Sequence, residues 1–466
     1  MAVRESRFRV GCRHSTRPPG PDARRWFPLV PRRRPPPPLR TPGSAVTFDP
    51  GRPPAVNLDR LLDRLFRLGE IGALPGGGVT RLALTDEERQ ARDLVVGWMD
   101  DMALEVTVDR IGNIVGTRRG TEQLPPVVIG SHLDSVVEGG IYDGPLGVLA
   151  GLEAVERMNE EGIETRHPVA VAVFTNEEGA RFTPDMMGSG VSQGLLELEA
   201  CLEGADREGR TVGGELSRIG YLGGVDPRTL RPSCFLELHV EQGPVLEEAG
   251  LEVGAVTGVQ GISWTEFLVS GVSSHAGTTP MDRRRDAGFV AARITSEARR
   301  ISSELGPPQV ATVGLIELSP NVVNVVPERA RLTVDLRNTR DRTLQAAEER
   351  LEAAARRIAE AEGCGLEVRR LARFAPVDFD PAVVSEIEKV AGALGLGVAR
   401  LPSGAGHDAQ MFAPNCPTGM VFIPSKGGLS HTVREYSAPE HIRAGANVLL
   451  AAALRRAGVA RSGPAP

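Results

Sequence analysis

Cysteine is scarce in this chain: five residues in 466 (Cys12, Cys201, Cys234, Cys364 and Cys416), odd in number, scattered, and never in a C-x-x-C pair. A disulfide framework and a thiolate metal site are excluded, and a reducing, cytoplasmic compartment is expected. Long apolar runs are missing as well. Nothing approaches the roughly 18 consecutive apolar residues of a membrane helix, so no membrane association is expected. The amino-terminal segment also lacks the apolar core, about 7 to 15 residues long, of a secretory signal. Net positive charge is confined to one end: residues 1–48 carry eleven Arg against Glu5 and Asp22, so a total of −6 leaves −15 on the remainder. An acidic body argues against nucleic acid as a partner.

Residues 1–48 are rich in Arg and Pro and have no periodic apolar face, so disorder is expected there. The remainder is ordinary in composition, and its length exceeds one core, so two domains are expected, one inserted in the other. The stretch VVIGSHLDSVVEGGIYD (residues 127–143) reads as a buried β-branched strand that ends in His132 and Asp134, with Asp143 at the junction to a helix opened by Pro145. A His-x-Asp pair alone is equally compatible with a satisfied loop. The pattern recurs, however. The strand PVAVAVF (168–174) ends in Glu177 and Glu178, CFLELHV (234–240) delivers His239 with Gln242 just beyond, and a late strand near Met420–Ile423 precedes Ser430 and His431. Imidazole and carboxylate groups at the carboxyl ends of strands in a mostly parallel sheet are where a ligand or metal site belongs.

Thr85 with Glu88 forms a capping box for a helix reaching Leu104, and Ser437 with Glu440 is expected to open the last helix. From residue 256 the order becomes β-α-β-β-α-β, a ferredoxin-like unit, whose third strand turns Arg337 away from the helix-covered face. The fold class is therefore α/β: a catalytic domain with a mostly parallel sheet flanked by helices (49–255 and 373–466), interrupted by a smaller dimerisation or lid domain (256–372).

GSHLDSVVEGGIYDGPLGVLAG, FTNEEGARF, ELHVEQGPVLE, SSHAGTTPMDRRRDA, NVVNVVPE with DLRN, SGAGHDAQMF and SHTVRE, in this order, resemble the hydantoinase/carbamoylase branch of the dinuclear-zinc aminoacylase and carboxypeptidase clan. The resemblance covers about residues 57–455. It implies one metal on His132, Asp143 and His239 and a second on Asp143, Glu178 and His431, with Asp143 bridging and Asp134 backing His132. Zinc is expected, although such ligands also accept manganese, cobalt or nickel. It further implies Glu177 as general acid-base and His275 as oxyanion donor. Asn324 and Arg337 clamp the substrate carboxylate, with Gln242 and His407 lining the substrate and Asp408 behind them. The activity implied is hydrolysis of N-carbamoyl-L-amino acids to amino acid, carbon dioxide and ammonia. The alternatives are allantoate amidohydrolase and β-ureidopropionase, then a dipeptidase-like activity or an inactive metal-binding protein. A homodimer is also implied, in which His275 serves the partner's site while Asn324 and Arg337 serve their own.

Overall fold

Val127, Val128 and Ile129 open the strand at the centre of the molecule. In the computed structural model, which describes residues 54–460, that strand is buried at every position; the Arg- and Pro-rich extension expected to be disordered lies outside the described residues. In chain order the strands are β1 (Glu105–Val108), β2 (Ile114–Arg118), β3 (Val127–His132), β4 (Val169–Phe174), β5 (Cys234–Val240), β6 (Val253–Val259), β7 (Gly261–Ser270), β8 (Ser274–His275), β9 (Val310–Ser319), β10 (Val325–Val326), β11 (Arg329–Asn338), β12 (Gly365–Phe374), β13 (Val377–Asp378), β14 (Val398–Ser403) and β15 (Thr418–Ile423).

The large sheet runs β1-β2-β4-β3-β5-β15-β6-β13, with β14 paired to β6. Its centre, β4-β3-β5-β15, is parallel, and antiparallel ladders flank it. These four strands are buried at every position, as strands covered on both faces must be. Helices Pro145–Glu160, Pro381–Ala393 and Pro439–Ala457 supply cover, and Pro145 occupies the first helical turn, where its missing N–H costs nothing. Because the central strands share one direction, the residues that follow them emerge along one edge.

The second sheet, β12-β7-β11-β9, is antiparallel throughout. Helices Ala287–Leu305 and Asp341–Ala361 pack on one of its faces. Along β11, Ala330, Leu332, Val334 and Leu336 are buried beneath them while Arg331, Thr333, Asp335 and Arg337 take the other face. The buried apolar side chains of this unit form their own cluster, around Phe267, Ile294, Leu332 and Leu351, distinct from the core of the large sheet.

Local departures have local causes. Thr85 accepts from Glu88 N as expected, a cap contributing about 1 kcal/mol. Glu88 does not complete the box: it turns back to Leu84 N and pairs with the buried Arg92. The last helix starts at Pro439 behind Ala438, which makes no side-chain cap, because Ser437 spends its hydroxyl on the carbonyl of Pro424. Strands β6 and β14 were not expected from the sequence, since glycines interrupt one and Pro402 the other. No helix among the described residues is long and apolar enough to cross a membrane.

Candidate metal centre

His132 is the last residue of β3, His239 the sixth residue of β5, and Glu177 and Glu178 follow the end of β4. His431 arrives on the loop beyond β15, on the same edge. Asp143 stands between them all. Its Oδ1 lies 3.0 Å from His239 Nε2 and 3.7 Å from His132 Nε2, and its Oδ2 lies 3.4 Å from His431 Nε2. The Nε2 of His431 is also 3.4 Å from Glu178 Oε2. Two groups of three side chains therefore meet at one carboxylate: His132, Asp143 and His239, and Asp143, Glu178 and His431.

The donor chemistry fits divalent cations. His132 Nε2 is buried without a hydrogen-bond partner and His239 Nε2 faces only the Asp143 carboxylate, while their Nδ1 atoms are held by the carbonyls of Asp134 at 2.9 Å and Val240 at 2.8 Å. Buried polar atoms are seldom left orphaned, and an imidazole whose far nitrogen is fixed presents its other lone pair to a metal. A third group, Glu237, His239 and His407, is less open, because Ser131 Oγ and Ala409 N already occupy both oxygens of Glu237. Gly144 makes room for the ring of His132: its φ is +80°, and a Cβ there would stand 2.4 Å from the imidazole.

Electrostatics agree with this arrangement. Burial lowers the pKa of His132 to about 4. Burial also acts on His239, but the adjoining Asp143 carboxylate outweighs it and lifts that imidazole to about 9. Asp143 itself is held well below the carboxylate range by its three histidines in spite of burial. Burial, then the charges of Glu178 and Asp408, pushes Glu177 well above its ordinary value. So many acids facing so few histidines call for added positive charge.

The remaining expected residues fall into two sets. Gln242 is at the centre, donating from Nε2 to Asp143 Oδ2 at 2.7 Å. His407 stacks edge-on against His239, with ring centroids 4.5 Å apart, and meets Ser403 Oγ at 2.8 Å. Asp408 accepts from Ser189 Oγ at 2.6 Å. Asp134 orients His132 through its main-chain carbonyl rather than its carboxylate, which instead accepts from Glu177 N and Glu178 N at 3.3 Å each. Three non-glycine residues of the site, Gln242, His431 and Asn176 beside Glu177, have φ between +53° and +58°, a strain that concentrates at functional sites.

The inserted unit supplies the other set, and the structure does not bring its members together. Arg337 lies where this unit meets the large-sheet core: it donates from one terminal nitrogen to Gly404 O at 2.7 Å while pairing with Asp335 at 2.8 Å. Asn324 is beside His275, since β10 pairs β8 with Val325 opposite His275, and Ala276 N donates to Asn324 O at 3.0 Å. In register, Asn338 faces Gly261 and Arg329 faces Ser270. His275 and Asn324 thus follow the end of the sheet away from Arg337, about 27 Å along the strands at roughly 3.4 Å per residue. No hydrogen bond or ion pair among the described residues joins His275 to the cluster around Asp143. Missed in the sequence was Glu435, quoted only within SHTVRE, while Ser430 was named beside His431 without a role. Ser430 donates to either of two carboxylates, Asp143 Oδ2 at 3.0 Å or Glu435 Oε2 at 2.6 Å.

Residues 128–455 match the family described as "Peptidase family M20/M25/M40". An N-carbamoyl-L-amino-acid amidohydrolase of Rhizobium meliloti is 43% identical over 409 residues, 88% of this chain and 98% of that one. An allantoate amidohydrolase of Bacillus subtilis is 33% identical, over 84% of this chain and 95% of its own length. A crystal structure of a hydantoinase/carbamoylase family amidase from Burkholderia multivorans superposes with a TM-score of 0.84 at 44% identity, covering 86% of this chain and 98% of that one.

Proposed function

Because the chain belongs to peptidase family M20/M25/M40, and within it to the hydantoinase/carbamoylase branch, we propose that it is a metal-dependent amidohydrolase. Its substrates are N-carbamoyl-L-amino acids, and its products the amino acid, carbon dioxide and ammonia. The observation that carries the reading is the pair of three-residue groups meeting at Asp143, with Glu177 Oε2 only 3.4 Å from His132 Nε2. The proposal gives the site two divalent ions, zinc first among them. Bound there, they would supply Lewis acidity toward the carbamoyl oxygen and toward water.

The chain's own residues then divide the work. Glu177, buried and with no Lys or Arg partner among the described residues, takes a proton from the attacking water and passes it to the nitrogen that leaves as the C–N bond breaks. Gln242 and His407 wall the pocket beside Asp143 and His239. Arg337 reads the substrate carboxylate: Asp335 and the carbonyl of Gly404 orient the guanidinium, whose planar fork suits a two-pronged contact. His275 stabilises the oxyanion, and its place beyond the far end of β7 supports delivery to a partner subunit's site in a homodimer, with residues 256–372 as dimerisation unit and lid. Asn324, its neighbour, goes with it. The four free cysteines among the described residues support the cytoplasmic location included in the proposal.

Allantoate is the second reading, favoured by the Bacillus subtilis relative. Ammonia release from a panel of N-carbamoyl-L- and D-amino acids, β-ureidopropionate and allantoate tests the choice, with Arg337→Lys assayed in parallel. The L-carbamoyl compounds are expected to give the highest kcat/KM, and the lysine variant a raised KM on acids but not on their carboxamides. Preference for allantoate would transfer the assignment to the second reading, and equal discrimination by Arg337→Lys would move the carboxylate contact elsewhere.

A further inference from the structure

Glu435 has no part in the division of labour above, yet its surroundings are specific. The side chain is 6% exposed, and no cationic side chain pairs with it among the described residues. A buried carboxylate in that position is costly unless hydrogen bonds replace water. Here they do: Oε1 accepts from the backbone N–H groups of both Tyr142 and Asp143 at 3.1 Å, and Oε2 accepts from Ser430 Oγ at 2.6 Å. Ser430 Oγ is also 3.0 Å from Asp143 Oδ2, the oxygen turned toward His431. The fit is close. Gly140 has no side chain where one would collide, a Cβ there falling 2.1 Å from Glu435 Oε1. The contact closes a gap of 292 residues between Asp143 and Glu435. His431, four residues before Glu435, holds a left-handed φ of +53° and so needs its loop fixed from outside.

We propose that Glu435 is a positioning residue that locks Asp143 to the loop bearing His431, so that the ion-holding set Asp143, Glu178 and His431, drawn from opposite ends of the chain, is assembled before any ion arrives. The proposal rests on the reading that this set holds an ion. Its bonds favour that set over the other: the Ser430 link acts on Oδ2, whereas Oδ1 faces His239 and His132.

The test is metal binding rather than turnover. Full-length parent, Glu435→Ala, Glu435→Gln and Gly140→Ala, stripped of metal, are titrated with cobalt(II) against a chromophoric chelator while the visible absorption of the bound ion is recorded. In Glu435→Ala the tighter ion is expected to bind nearly as in the parent and the weaker one at least about tenfold less well, the range for losing a group that orients a ligand. Glu435→Gln keeps the oxygen facing the two backbone N–H groups and is expected to recover most of the affinity. Gly140→Ala, which removes no polar group but takes the carboxylate's space, should reproduce the loss. If Glu435→Ala fails to fold, Ser430→Ala carries the same expectation. Unchanged binding of the second ion, or equal weakening of both, overturns the proposal. His431→Ala separates this from failure of the underlying reading: if it leaves the stoichiometry and spectrum of the parent intact, the ion site itself is misassigned.

Discussion

Glu177→Gln is expected to retain its bound metal and to lose roughly 100- to 10,000-fold in turnover, the range for removing a positioned general acid-base group. The geometry makes the expectation specific. Glu177 lies one residue from the ion-holding Glu178 and is itself buried, and its backbone is pinned by the carboxylate of Asp134 at 3.3 Å. An amide fits the same space, but it cannot take a proton. Metal content by elemental analysis, read beside kcat, separates this from collapse of the site. Near-parental turnover at full metal content would remove Glu177 from the reaction.

His275→Ala is expected to be as severely impaired, and a mixture with Glu177→Gln to regain activity. The basis is distance within one chain. Among the described residues the His275 side chain hydrogen-bonds only within its own turn, where Nδ1 accepts from Gly277 N at 3.0 Å and Thr278 N at 3.2 Å. It follows the end of β7 remote from Gly261, the end that adjoins the large-sheet core. A two-fold dimer makes any such donation reciprocal. When subunits exchange at random, one site in each mixed dimer combines an intact Glu177 with an intact His275, so about a quarter of parental activity should return. No recovery despite demonstrated exchange would mean that each chain uses its own His275 or that the residue has another role.

Much of this was legible in the sequence because the chemistry sits at strand ends. Val127–Ile129 and the PVAVAVF run are too uniformly apolar to be anything but buried strands, CFLELHV places its polar residues at alternate positions, and the polar residues at the ends of these strands are those gathered around Asp143. What escaped depends on contacts between distant segments. Strand β6 is broken by glycine and stabilised by neighbours on both sides, β14 and β15, so its pattern alone is weak. Ser437 looks like a helix cap in sequence, but tertiary packing gives its hydroxyl to Pro424. Asn324 and Arg337 read as one clamp because they share a unit, yet the length of β11 separates them. Glu435 carries little local sign of its role, since apart from Ser430 its partners are backbone N–H groups nearly 300 residues away.

The central claim is that the cluster around Asp143 holds the ions on which carbamoyl hydrolysis depends. Its most direct test is to strip the protein with a chelator, add zinc or manganese in measured steps, and follow ammonia release from an N-carbamoyl-L-amino acid alongside bound metal. Negligible release is expected from the stripped protein, with a rise that saturates as occupancy approaches two ions per chain. Full activity that persists without metal, in protein shown to contain none, would contradict it.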